Sequence, residues 1–260
     1  MKNILFVSDL DNTLLFSWRK SRPGEICIEK KDEKKQGFMT EFTYDSLKII
    51  NDITNFVPVT ARSISQYRRI QWNDMQSPEY AIVSNGGILI KNGNIDINWL
   101  KTSQELVEPF KNEMWTLYNI FNSTKKCKVT RIVDGMYIYI HCYDEAQAVD
   151  CITQYKTVSQ FEVVSHGKKV YFFPPVINKG NAVERLKAYI PYEKIVAAGD
   201  SIVDLSMLQK ADLAIIPKEL KNIEWNNHNI VKMCDEEKFS DYVCKQILKM
   251  CRYGTIRKTY

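Results

Sequence analysis

The sequence predicts an α/β protein, a parallel-sheet core into which a smaller α+β domain is inserted. Three observations predict it. Short apolar runs alternate with helix-period segments at both ends of the 260-residue chain, the pattern of parallel strands joined by helices. Between about residues 100 and 174 the order changes to helix-strand-strand, twice over, with alternating strands that form a small antiparallel sheet covered by helices on one face. Several outer apolar runs also end abruptly in carboxylates or hydroxyls, which gathers polar chemistry along one sheet edge. The division predicted is a core of residues 1–99 and 175–260 and an inserted domain of residues 100–174.

Taken in order, strand 4–8 leads into a polar stretch, 17–37, read as a protruding hairpin or loop because Glu29-Lys30-Lys31-Asp32-Glu33-Lys34-Lys35 is too charged to be core. Helix 43–53 carries Tyr44, Leu47 and Ile50 at helical spacing and precedes strand 56–60. Helix 63–74, strand 80–84 and a hairpin over 88–97 turning at Asn92-Gly93 complete the first half of the core. The insert opens on an amphipathic helix, 102–121, with strands 126–133 and 136–142 about the Asp134-Gly135 turn. Helix 144–157 and strands 161–165 and 169–173, about His166-Gly167, repeat the unit. Beyond Pro174-Pro175 come helix 179–189, strand 195–198, helix 203–209, strands 213–216 and 229–233, and helix 239–250.

Composition narrows the function. Apolar residues make up 45% of the chain, ample for a packed interior, and 36 basic against 31 acidic residues leave a net charge of +5. Lys and Arg are scattered rather than gathered in a stripe, so nucleic acid is not implied, while anionic ligands are mildly favoured. Seven cysteines, an odd count with no C-x-x-C pair, read as reduced thiols in the cytoplasm, without disulfide or zinc. No apolar stretch approaches a membrane span, and Asp9 interrupts the N-terminal apolar residues before a secretory signal forms. Nothing in the pattern specifies an oligomeric state.

The chemistry collects at three strand ends: Asp9-Leu10-Asp11-Asn12-Thr13, Thr60-Ala61-Arg62 and Gly199-Asp200-Ser201-Ile202-Val203-Asp204. Two carboxylates one residue apart repel unless a divalent cation lies between them or one carries a proton. With Lys179 opening a nearby helix, these carboxylates and hydroxyls suit Mg²⁺ plus a phosphate. An aspartate can attack phosphorus there, because the metal and Lys179 offset the repulsion between two anions. No P-loop, dinucleotide-binding glycine motif or serine nucleophile elbow competes.

Asp9-x-Asp11-x-Thr13, Thr60, Asn178-Lys179-Gly180 and Gly199-Asp200 with Asp204 resemble, in order, motifs I to IV of the haloacid dehalogenase (HAD) superfamily of phosphatases. The insert lies between the second and third motifs, where that superfamily places its C2-type cap. The doubled helix-strand-strand pattern looks like the C2B cap of the sucrose-phosphate phosphatase, mannosyl-3-phosphoglycerate phosphatase and phosphomannomutase branch, and Ser84-Asn85-Gly86-Gly87 is similar to the Cof-like signature. The resemblance implies a Rossmann-like core with an inserted cap, and a Mg²⁺-dependent phosphatase for a small phosphorylated metabolite such as a sugar phosphate. It makes Asp9 the nucleophile and a metal ligand, Asp11 the general acid and base, and Leu10 a metal ligand through its carbonyl. Thr60 and Lys179 would bind the phosphate, Asp200 and Asp204 would stand on the metal side, and Thr13 would support the loop. Arg62 and Asn85 are further candidates, Arg62 as ligand or tether.

Relatives with this cap usually have Asn where Val203 stands and Gly where Ala61 stands; Asn12 replaces another Gly and tolerates left-handed geometry. Asp204 can equally brace a helix. His166 and Lys168 are expected in solvent, His141 in a structural role, and Trp115, Tyr118 and Phe121 in helix packing. The lysines at 30, 31, 34 and 35 are expected on a solvated hairpin. Two other functions share the motifs: phosphoryl transfer of the phosphomannomutase kind, and a weakly catalytic phospho-ligand binder, suggested by Val203 and the charged segment.

Overall fold

The computed structural model describes residues 2–124, 127–220, 229–233 and 237–253. Strand β1 (Ile4–Ser8) opens the core, and a three-stranded flap of β2 (Phe16–Ser17), β3 (Ile26–Lys31) and β4 (Lys34–Met39) follows. Helix α1 (Glu41–Ile53), capped by the Thr40 hydroxyl, leads to β5 (Asn55–Pro58). Next come α2 (Ile64–Tyr67) and the hairpin strands β6 (Tyr80–Val83), β7 (Ile88–Lys91) and β8 (Asn94–Ile95). The inserted region holds α3 (Ile97–Val107), α4 (Lys111–Thr124), β9 (Val129–Val133), β10 (Tyr137–His141), α5 (Glu145–Tyr155), β11 (Glu162–His166) and β12 (Lys169–Phe173). The chain closes through α6 (Lys179–Arg185), β13 (Lys194–Ala198), α7 (Leu205–Leu208), β14 (Leu213–Ile216), β15 (Asn229–Lys232) and α8 (Phe239–Tyr253).

Five parallel strands in the order β15-β14-β13-β1-β5 form the core sheet, and alternate side chains of β1 feed its two faces. Phe6 packs into the layer with α1 and α8, whereas Leu5 and Val7 join the layer with α6 and α7. The register decides the site. Ser8 pairs with Ala198 on one side and with Pro58 on the other, so the residues just past the three strands emerge level with one another. The Asp9 N–H donates to the Ala198 carbonyl at 2.9 Å and the Val59 N–H to the Ser8 carbonyl at 2.8 Å, which holds the loops together where the ladder stops.

A second sheet, order β11-β12-β10-β9, is fully antiparallel. Ile138, Ile140, Val170 and Phe172 point to the face covered by α4 and α5 and are essentially inaccessible. The opposite face, with Tyr139 and Tyr171 opposed in register, looks toward the core. This is the predicted architecture, a parallel core with an antiparallel cap sheet covered by helices on one side.

Local departures have physical causes. The expected helix 63–74 stops at Tyr67, because the chain turns to pair with the flap: the Gln71 N–H donates to the Ile28 carbonyl at 2.7 Å. The expected helix 102–121 starts earlier, at Ile97, where the Asp96 side chain caps it, and is broken by a 3-10 turn over Glu108–Phe110, since Pro109 has no N–H to continue the ladder. The piece before the break packs on the core: Trp99 donates its indole N–H to the Gly86 carbonyl at 3.1 Å and is crossed by the Arg185 guanidinium. Phe121 is buried as expected, while Trp115 is 55% exposed and meets the edge of Tyr118. The first residue of strand 126–133, Lys126, and Cys234 lie outside the described residues. Six described cysteines are free thiols. Among the described residues no helix is long and apolar enough to cross a membrane.

Candidate active site

Asp9 leaves β1 nearly buried, and Lys179, the first residue of α6, reaches it from the far side of the sheet edge. The Lys179 ammonium, 1% exposed, donates to Asp9 Oδ1 and to Asp204 Oδ1, both at 2.5 Å. Burial alone would lower the Lys179 pKa, but the charges of Asp204 and Asp9 outweigh it and hold the ammonium protonated. One cation cannot neutralise the whole acidic group. Burial, reinforced by Asp204 and Asp11 and opposed by Lys179, raises Asp9 to about 7, and burial with Asp204 and Asp9 raises Asp200 to about 8. Such a cluster retains a proton near neutral pH or takes up a cation.

Asp204 is the keystone of its loop. Its Oδ2 accepts from the Asp200 N–H at 3.1 Å, and from the Ser201 N–H and hydroxyl at 3.0 Å each. A Cβ at Gly199 would meet Asp204 Cβ at 2.5 Å, so only glycine permits this approach. Among the described residues Asp9, Asp200 and Asp204 can each offer a carboxylate oxygen within 4.8 Å of the others, a donor set for a hard divalent ion. Asp204 Oδ2 is taken up by its three donors, while Asp204 Oδ1 and Asp9 Oδ1 each accept from Lys179 and keep a further lone pair for an ion. The Leu10 carbonyl, expected at the metal, instead accepts from the N–H groups of Thr13, Leu14 and Leu15 at 3.2, 3.0 and 2.8 Å. It closes the tight turn of the loop. Asn12, at φ 62°, takes the left-handed conformation expected of it, whereas Ala61 stays at negative φ, where a side chain costs nothing.

The Thr60 hydroxyl accepts from the Arg62 N–H at 3.1 Å, so its own proton remains to donate into the cavity it lines with Asp9, Lys179 and Asp200. That cavity, about 60 Å³, has room for a compact anion. Arg62 grips Asp11 in bidentate fashion at 2.8 and 2.7 Å. Burial favours the neutral acid, but the guanidinium wins and holds the Asp11 carboxyl below its ordinary range. Behind Arg62 stands Glu29, 3.0 Å away and only 4% exposed, which also binds Arg69 at 2.8 Å. Glu29 therefore belongs to the interior, against the expectation from its charged surroundings, while lysines 30, 31, 34 and 35 are solvated as expected. Asn85, in a left-handed turn, donates its side-chain N–H to the Ile177 carbonyl at 3.1 Å and its backbone N–H to the Thr60 carbonyl. It braces the loop from behind. Gly86 must be glycine, since at φ 108° a Cβ would also lie 2.6 Å from the Asn178 carbonyl.

The cap completes the site. The cap-turn residue Asp134 accepts from the Ile64 N–H at 2.8 Å and from the Ser84 hydroxyl, and the Tyr137 hydroxyl donates to the Ala61 carbonyl. Beneath this clasp a cavity of about 390 Å³ runs from Asp11 and Arg62 to Arg131, Tyr139, His141 and Tyr171. His141, expected to be structural, faces this cavity, and His166, expected in solvent, stays exposed but lines the mouth of the smaller one. Lys169 and Tyr171, not singled out in the sequence, line both cavities. Their alternation in an amphipathic strand was visible, but the face turned to the core depends on how the cap docks. Val203 also lines the small cavity, where it offers no hydrogen bond.

The model of the sucrose-6F-phosphate phosphohydrolase family matches residues 2–238. No curated protein sequence matches the chain. Among solved structures, the sucrose-phosphatase from Synechocystis sp., solved with sucrose and phosphate, is 18% identical with a TM-score of 0.66, covering 96% of this chain and 98% of that one. A trehalose-6-phosphate phosphatase related protein is 16% identical (TM-score 0.58; 96% and 98% covered), and a haloacid dehalogenase-like hydrolase from B. subtilis is 15% identical (TM-score 0.56; 97% and 99% covered). At these identities the structural likeness is one of fold. The family match spans nearly the whole chain: the protein belongs to the sucrose-6F-phosphate phosphohydrolase family of the HAD superfamily and is a phosphatase.

Proposed function

We propose that the chain hydrolyses a small sugar phosphate through a phosphoryl group held covalently on Asp9, with Mg²⁺ as its metal. The observation that carries this reading is the buried Asp9–Lys179–Asp204 chain with Asp200 beside it. Lys179 orients Oδ1 of Asp9, and the other carboxylate oxygen has no hydrogen bond among the described residues and is the one that attacks. The O–P bond to Asp9 forms as the bond to the leaving alcohol breaks; the departing oxygen takes a proton from Asp11, which then removes one from the water that releases phosphate. Asp11 in the Arg62 grip is in its base form. Before it can act as the acid it must leave Arg62 and take up a proton from solvent, and only then hand that proton to the leaving oxygen.

Thr60 and Lys179 supply donors to the phosphoryl oxygens from buried positions, where such bonds are stronger than in water. The donor set of Asp9, Asp200 and Asp204, all hard oxygen, fits Mg²⁺, which would offset the negative charge of the phosphoryl group. The sugar-phosphate class draws support from the family and from the structural neighbours, whose names refer to sucrose and trehalose 6-phosphate. Phosphate release from a panel of sugar phosphates, with Mg²⁺ and with EDTA, tests the proposal. Turnover that needs the metal is expected; turnover unaffected by EDTA refutes it.

A further inference from the structure

The face that the cap turns to the core is cationic and aromatic. The register sets Arg131, Tyr139 and Tyr171 in one row across β9, β10 and β12, with His141 and Lys169 in the next. All five line the larger cavity, and Lys169 also reaches the smaller one, so it stands between the phosphoryl position and the space for the leaving group. The two carboxylates on that wall are already engaged, Asp11 by Arg62 and Asp134 by Ser84 and the Ile64 N–H. Neither Arg131 nor Lys169 has an ion pair among the described residues. Both cations are exposed to solvent in this cavity, and a neutral leaving group would strip water from them with nothing in return. An anionic one would pair with them while the tyrosine rings flank its carbon skeleton.

We propose that the leaving alcohol carries a second anionic group, a carboxylate or another phosphate, received by Arg131 and Lys169 on the cap. The inference rests on the phosphatase reading of the site and names its substrate class. The test compares kcat/KM for glucose 6-phosphate, 6-phosphogluconate and fructose 1,6-bisphosphate with Mg²⁺, in the wild type and in Arg131→Gln and Arg131→Lys. The wild type is expected to favour one of the doubly anionic compounds by at least about tenfold, the size expected for one charge-assisted hydrogen bond. Which of the two is favoured distinguishes carboxylate from phosphate. Arg131→Gln should lower that preference about tenfold, mainly through KM, and Arg131→Lys should keep part of it. A wild-type preference for glucose 6-phosphate, or a preference unchanged in Arg131→Gln, overturns the inference. If none of the three is hydrolysed, calorimetric binding of the same compounds to Asp9→Asn decides the inference independently of turnover. Tighter binding of an anionic compound that is lost with Arg131→Gln upholds it, and equal affinities overturn it.

Discussion

Asp204→Asn separates two roles that look alike in sequence. As a brace, Asp204 accepts from Lys179 on one oxygen, at 2.5 Å, and from three donors of the Asp200–Ser201 turn on the other, at 3.0 to 3.1 Å. Asparagine has a single acceptor oxygen. If that oxygen faces the turn, the amide N–H groups face the Lys179 ammonium; if it faces Lys179, three donors lose their acceptor. At 1% exposure on both partners no solvent relieves either arrangement. Breaking a buried pair on one side costs about 3–5 kcal/mol. In a chain of this size that is a fall in Tm of roughly 6–20 °C. The loss should be present in EDTA, by urea titration or thermal scanning. A residue whose contribution is only to ligate metal predicts the opposite sign, because deleting one of three crowded carboxylates relieves repulsion in the metal-free protein. An Asp204→Asn protein as stable as the wild type in EDTA, with metal affinity lost, would refute the bracing argument.

Two further outcomes follow from the same geometry. Glu29→Gln removes the buried counter-charge of Arg62 and Arg69 and should cost about 2–4 kcal/mol, somewhat below a fully enclosed pair because Arg69 is 29% exposed; an urea midpoint like that of the wild type would contradict it. The raised Asp9 and Asp200 pKa values mean that, above the unfolded value of 3.8, the folded protein binds more protons than the unfolded chain until the pH passes about 7 and 8. Metal-free stability should therefore fall as the pH rises from 6 to 8, by on the order of 2 kcal/mol, and Mg²⁺ should restore more of it at pH 8 than at pH 6. A metal-free Tm that rises over that interval would show that the cluster is not protonated as argued.

How much was legible in the chain depended on whether local pattern or tertiary contact decided the outcome. The apolar run before Asp9 and the matching ends at Thr60 and Asp200 announced a parallel sheet with polar loops on one edge, because strand register carries such residues to the same level. Asn12 and the Asp134-Gly135 turn were equally readable, since backbone geometry restricts the residues allowed there. Glu29 was not readable: its burial depends on Arg62 and Arg69, more than thirty residues away in a different element. The three hydrogen bonds to the Leu10 carbonyl were not readable, because spacing shows which atoms are near and not which way a peptide turns. The cap floor around Tyr171 and Lys169 shows its alternation in sequence, whereas the partner of each face is set by docking on the core.

The central claim is that phosphorus is transferred to Asp9 itself. Rapid acid quench during turnover of a substrate, followed by peptide mapping, tests it most directly. A phosphoryl adduct is expected on the peptide containing Asp9, removable by hydroxylamine and absent from Asp9→Asn, which should release no phosphate. Sustained phosphate release by Asp9→Asn, with no adduct in the wild type, would contradict it.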